Sequence, residues 1–161
     1  MSRITELWAA GDVPARDGLY RADGSAREVG IDSAALSRFG LGAPLDLEEL
    51  LRGDPEGVTT YDIHPDCFAE LPDDSGSDSD PDPGPGPGPG LGPGFVCGGD
   101  GAHGSEGFFA RLDADRNLVW VVSMGDSNPF EKVEVHGTTA RFFNNLGNSI
   151  EIDLTDHDFR H

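Results

Sequence analysis

Along much of the second half of the chain apolar and polar residues alternate, and a period of two predicts strands. Phe108, Ala110 and Leu112 alternate with Phe109 and Arg111. Leu118, Trp120, Val122 and Met124 alternate with Val119, Val121 and Ser123, so both faces of this strand are apolar and it belongs inside a sheet. Val133 and Val135 sit among Lys132, Glu134 and His136. Ala140 and Phe142 alternate with Thr139, Arg141 and Phe143, and Ile150, Ile152 and Leu154 with Glu151 and Asp153. Short polar stretches at 113–117, 136–137 and 144–148 have turn chemistry. The pattern predicts an antiparallel meander of about five strands with one packed face.

The first 72 residues read differently. A short helix is expected over 4–10, ending at Gly11. Asp23-Gly24 marks the turn of a small hairpin within 19–29. Asp32 is placed to cap a helix over 33–39, with Ala35, Leu36 and Phe39 on one face and Gly40 as the stop. Asp46 opens a second helix over 47–51, with acids in its first turn. Residues 58–63 are β-branched and aromatic enough for a strand, which His64-Pro65 would end. The class expected is α+β: short N-terminal helices packed on a C-terminal antiparallel meander.

Composition changes this picture in one place. Residues 73–94 hold seven Gly, six Pro and five Asp, and almost nothing apolar. Such a stretch cannot bury enough surface to order itself, and it is expected to be a disordered loop or tether within one domain spanning 1–161. Loop length costs little, so its two ends are expected to lie close together.

Charge narrows the function. Thirty acidic residues against 11 Lys and Arg give a net charge of −19. A nucleic-acid backbone binder needs clustered cations that this chain lacks. No apolar run approaches the 18 or so residues of a membrane span. The N-terminus has one Arg and no apolar core, so it does not read as a secretory signal, and a cytoplasmic location with two reduced thiols is the expectation. A carboxylate-rich surface suits a basic protein partner, since opposite potentials steer encounter.

Two segments carry candidate chemistry. The stretch 97–106 places Cys97, Asp100, His103 and Glu106 every third residue on a glycine-rich backbone. Thiolate, imidazole and carboxylate together suit zinc, and the same segment would serve a small metal- or thiol-dependent enzyme. Its spacing matches no established zinc motif, and ordinary turn chemistry explains it as well. Cofactor-free is therefore the favoured reading. Asp126, Ser127, Asn128 and Phe130 surround an Asn-Pro turn; an exposed Phe130 ringed by polar groups would make a recognition tip, and a tight connection with Phe130 in the core is the alternative. Asp113, Asp115 and Asn117 start like a calcium loop but lack its glycine and closing glutamate, which leaves a hairpin turn. In outline, short helices before an antiparallel sheet in a small acidic protein are similar to bacterial toxin-immunity proteins. That resemblance of layout implies an immunity or inhibitor-type binding module, non-enzymatic, as one concrete form of the acidic reading.

Overall fold

The computed structural model describes residues 2–14, 16–32, 36–52, 60–71, 94–101, 106–125 and 127–154. They form, in chain order, α1 (Arg3–Ala9), β1 (Asp12–Pro14), β2 (Gly18–Arg21), β3 (Ala26–Asp32), β4 (Ser37–Leu45), α2 (Leu47–Arg52) and β5 (Thr60–Glu70). The second half adds β6 (Gly94–Gly101), β7 (Gly107–Asp113), β8 (Leu118–Met124), β9 (Phe130–His136), β10 (Thr139–Asn144) and β11 (Ser149–Asp153). Every strand pair is antiparallel. An eight-stranded sheet runs β1-β5-β6-β7-β8-β2-β3-β4, and a three-stranded sheet runs β11-β10-β9.

This overturns the α+β expectation. The chain is mostly β, and its N-terminal half supplies five strands of the larger sheet instead of a helical cover. The resemblance in outline to toxin-immunity proteins loses its basis with it. The five strands read from alternation all exist, with β8 at the interior of the sheet, but they do not make one meander. After β8 the chain leaves the large sheet, and β9, β10 and β11 form a second sheet that packs against it.

The errors have local causes. Residues 37–39 of the helix expected over 33–39 belong to β4, paired with β3 through Gly30↔Gly40 and Asp32↔Ser37, while 33–35 lie outside the described residues. Burial of Leu36 against the core and packing of Phe39 on it outweigh a weak local helical spacing. Pro65 does not end β5. Strand β1 pairs only with Thr60 to Asp62, so among the described residues Pro65 has no strand partner on that side, and the register with β6 slips between Pro65 and Cys67. Proline is tolerated at such unpaired or bulged positions.

Two cores lie on opposite faces of the large sheet. On one, Phe109 stacks on Phe142 at 4.4 Å between ring centroids and meets Phe130 edge-on at 5.4 Å. Leu19, Val96, Trp120 and Val122 fill the space between the sheets with Ala140, Ile150 and Ile152. On the other face α1 and α2 cover Val13, Tyr20, Phe108 and Val121 with Ile4, Leu7, Trp8, Leu47 and Leu50. Ser2 caps α1, its hydroxyl accepting from the Thr5 N–H, and the Asp46 carboxylate accepts from the Glu49 N–H at the start of α2. The layers are helices, large sheet, small sheet.

The Asp/Pro/Gly-rich stretch lies outside the described residues except for Gly94, which pairs with Asp113 as the first residue of β6. The backbone N–H of Leu71 donates to the Gly94 carbonyl at 2.8 Å, so the chain on either side of 72–93 is held together. Among the described residues no helix is long and apolar enough to cross a membrane.

Candidate functional site

The glycine-rich segment taken for a ligand loop is, over its first five residues, the interior strand β6. Its glycines serve close packing. A Cβ on Gly99 would run into the His64 carbonyl of β5, and one on Gly98 would sit 3.0 Å from Cβ of Phe130. Cys97 is fully buried in the core under the helices. Asp100, three residues on, points to the opposite face and places its Oδ1 3.5 Å from Nδ1 of His64. Glu106 lies just before β7, and His103 lies outside the described residues. Cys97 and Asp100 therefore do not converge. Among the described residues no group of three or more His, Cys, Asp or Glu is arranged to hold a metal.

The thiols are equally informative. Cys67 and Cys97 are free, on adjacent strands, with Cys67↔Gly98 and Phe68↔Cys97 in register. Cys67 faces the small sheet, its Sγ 3.6 Å from the Gly98 carbonyl and 3.8 Å from that of Phe130. Cys97 faces the helices, so the two side chains lie on opposite sides of the sheet and no disulfide joins them without rearrangement. Burial pushes Cys67 up to about 11, against its bond to Gly98 and with help from the Asp66 and Glu131 charges. Burial likewise pushes Cys97 up to about 12. Neither is a thiolate at neutral pH, which removes the driving chemistry of a nucleophilic cysteine.

The turn at 127–130 is a clamp between the sheets. Phe130 and Ser127 are fully buried, while Asp126 lies outside the described residues. The Asn144 amide, itself buried, donates to the Ser127 carbonyl at 2.9 Å and accepts from the Leu146 and Asn148 N–H groups, each at 3.0 Å. The Asn128 amide donates to the Asn145 side chain at 3.1 Å, and the Asn145 N–H donates to the Pro129 carbonyl. Gly107 sits so close to Asn128 that a Cβ would collide with its carbonyl. With Phe130 in the core, no aromatic tip projects from this loop.

Two other places gather chemistry, the second of them beside the 113–117 stretch, which is the hairpin turn between β7 and β8. The first is a group of carboxylates where β1, β5 and β6 meet the start of β9. Asp12 and Asp62 are register partners, and burial together with a shared hydrogen bond raises the Asp12 pKa. Asp66 is raised by burial and by the charges of Asp100 and Glu131, with His64 acting in the opposite sense. None of these five carboxylates forms an ion pair with a described Lys or Arg. Strand pairing brings Asp12, Asp62, Asp66 and Asp100 together and packing of β9 on β5 and β6 adds Glu131, from positions up to 119 residues apart (Asp12 and Glu131), so no local motif announces the group.

The second is a cleft of about 680 Å³ on the helical side, between α1 and the β7–β8 turn. Thr5, Trp8, Ala9, Ala22, Arg116 and Leu118 are among its walls. Asp113 Oδ1 accepts from the Asp115 and Asn117 N–H groups at 2.8 Å, which holds the Asp113 pKa down, Asn117 contributing most. Arg116 is the left-handed residue of the turn, with φ 69°. Gly or Asn is usual there, and a larger residue costs about 1–2 kcal/mol. Its guanidinium lies over the Phe95 and Phe68 rings, 4.8 and 5.6 Å from their centroids.

Comparison with protein-family models, curated proteins and solved structures finds no match to the chain.

Proposed function

We propose that the protein is a non-enzymatic binding module that presents the carboxylates of Asp12, Asp62, Asp66, Asp100 and Glu131 to a basic protein partner. The observation that supports this most directly is the placement of Asp12 opposite Asp62, and of Asp66 near Asp100 and Glu131, with no ion pair to a described Lys or Arg; burial first, and then these neighbours, raises the pKa of Asp12 and Asp66. Like charges held together cost stability, and a cationic partner would relieve that cost on binding. The net charge of −19 adds long-range steering. The reading rests on charge placement and owes nothing to layout.

A Lys/Arg-rich peptide of about 20 residues is a suitable probe, titrated at low and physiological salt. Neutralising the patch (Asp62→Asn, Asp66→Asn, Asp100→Asn, Glu131→Gln) should weaken binding at least tenfold. It should also flatten the salt dependence. Neutralising Glu48, Glu49, Glu134 and Glu151 removes the same charge elsewhere. Equal loss from both sets would mean that total charge alone is sensed, and the proposed surface would be abandoned.

The metal- or thiol-enzyme reading has less support. Cys97 and Asp100 diverge and both thiols are protonated at neutral pH. It is tested by elemental analysis of protein purified without chelator, where stoichiometric zinc would restore it.

A further inference from the structure

We infer that the basic partner docks as an added β-strand on the open edge of β5, antiparallel to residues 67–70, with the order basic, any, apolar, basic along its own chain. This rests on the carboxylate reading above and names how that surface is engaged. Strand β1 covers only Thr60 to Asp62, and the Ile63 N–H donates to the Gly11 carbonyl. Beyond Ile63, among the described residues, β5 has no strand partner on that side. Pro65 and the register slip before Cys67 interrupt the edge, but from Cys67 to Glu70 the pairing with β6 is regular. The Leu71 N–H donates to Gly94, on the β6 side. Backbone groups alternate sides along a strand, so the N–H and C=O of Phe68 and Glu70 face the open side.

An edge of this kind accepts a strand from another chain. The side chains along it say which. Phe68 is 49% exposed, with Arg116 stacked over its ring. Glu70 and Asp66 are exposed on either side of it, and Asp100 and Glu131 lie near Asp66. A second copy of this chain, pairing antiparallel about Phe68, would set Glu70 against Asp66, and like charges directly opposite destabilise a ladder. A strand with Lys or Arg opposite Glu70 and beside Asp66, and an apolar side chain opposite Phe68, suits every position.

The test is an NMR titration of the full chain at low salt. The probes are the blocked peptide Thr-Lys-Thr-Val-Lys-Thr, its isomer Lys-Lys-Val-Thr-Thr-Thr of equal charge, and two N-methylated forms of the first. The first peptide should bind saturably and slow hydrogen exchange at the Phe68 and Glu70 N–H groups. The isomer should bind about fivefold more weakly or worse, since its apolar residue no longer falls between the two cations at the right spacing. Methylating the valine nitrogen, which faces Phe68 in the added strand, should cost about tenfold or more in affinity. Methylating the nitrogen of the threonine before it, which faces away, should cost little. Equal affinity of the two isomers or of the two methylated forms, or binding with unchanged exchange at Phe68 and Glu70, would overturn the added strand and leave the carboxylate reading standing. No response to either isomer would overturn both.

Discussion

Asn144 shows how much a single buried amide can carry. It ends β10, satisfies two N–H groups of its own turn and reaches across to the Ser127 carbonyl, joining the strands of the small sheet to the crossover from the large one. Replacing it by Ala would remove a buried bond to the Ser127 carbonyl and two part-buried bonds to the turn N–H groups, at a cost of about 2–4 kcal/mol. Chemical denaturation of Asn144→Ala measures this, and a loss under about 1 kcal/mol would show that the clamp is dispensable. The cysteines make a prediction with a definite sign. The folded state keeps both thiols protonated to about 11 and 12, from an ordinary value of 9.0. The unfolded chain releases those protons earlier, so their contribution to stability is whole below pH 9 and is lost as pH rises toward 11–12. Stability should therefore fall more steeply between pH 8.5 and about 10.5 in the parent than in a Cys67→Ala, Cys97→Ala variant. Parallel curves would mean the thiols do not govern the alkaline limb.

At the scale of elements, legibility followed the strength of the local pattern. The hairpin turn at Asp23-Gly24, the helix at 47–51 and the strands around Trp120 and Phe142 were all readable, because alternation, caps and turn residues agree with what tertiary structure imposes. β6 was not. Gly98 and Gly99 look like loop residues in sequence, yet they are required where β5 and the Phe130 region press against the strand, and only the packed sheet reveals that demand. The division into two sheets was also hidden, since alternation fixes which face a side chain takes but not which sheet its strand joins. The carboxylate patch was illegible for the same reason: strand pairing and the packing of β9 bring its residues together from distant parts of the chain. One feature of 73–94 was nevertheless sound. Its flanks meet through the Leu71–Gly94 bond, so replacing 73–92 with a short Gly-Ser connection should leave the melting temperature within about 5 °C. Gly94 must stay, because it pairs with Asp113 and its missing side chain leaves room for the Leu112 carbonyl. A broadened or strongly lowered transition in the shortened chain would give 73–92 a structural role.

For the molecule as a whole, charge sets the conditions under which the fold is most stable. The described Lys and Arg pairs, Arg3–Glu6, Arg16–Glu28, Lys132–Glu134 and Arg141–Glu151, all lie at the surface, where such pairs contribute little. They do not offset a net charge of −19, and the compact state concentrates that repulsion. The folded pKa values of Asp12 and Asp66 are raised, so the native state takes up protons there before the unfolded chain does. That stabilising uptake is present at low pH and is lost as pH rises through the raised values. Asp113 and Glu134 oppose it, because their pKa values are lowered and the stability they supply is lost only as pH falls through those lower values. The two effects act in separate windows, the first from mildly acidic pH downward and the second further down. The melting temperature should therefore pass through a maximum at acidic pH instead of near neutrality. Added NaCl should raise it at pH 7.5 and matter less at pH 5, since screening and protonation relieve the same repulsion. In the variant with Asp62, Asp66, Asp100 and Glu131 neutralised, the parent's gain on acidification should shrink by half or more. A parent that melts highest at pH 7.5, or a variant with an undiminished acid maximum, would show that this patch does not dominate the pH response of the fold.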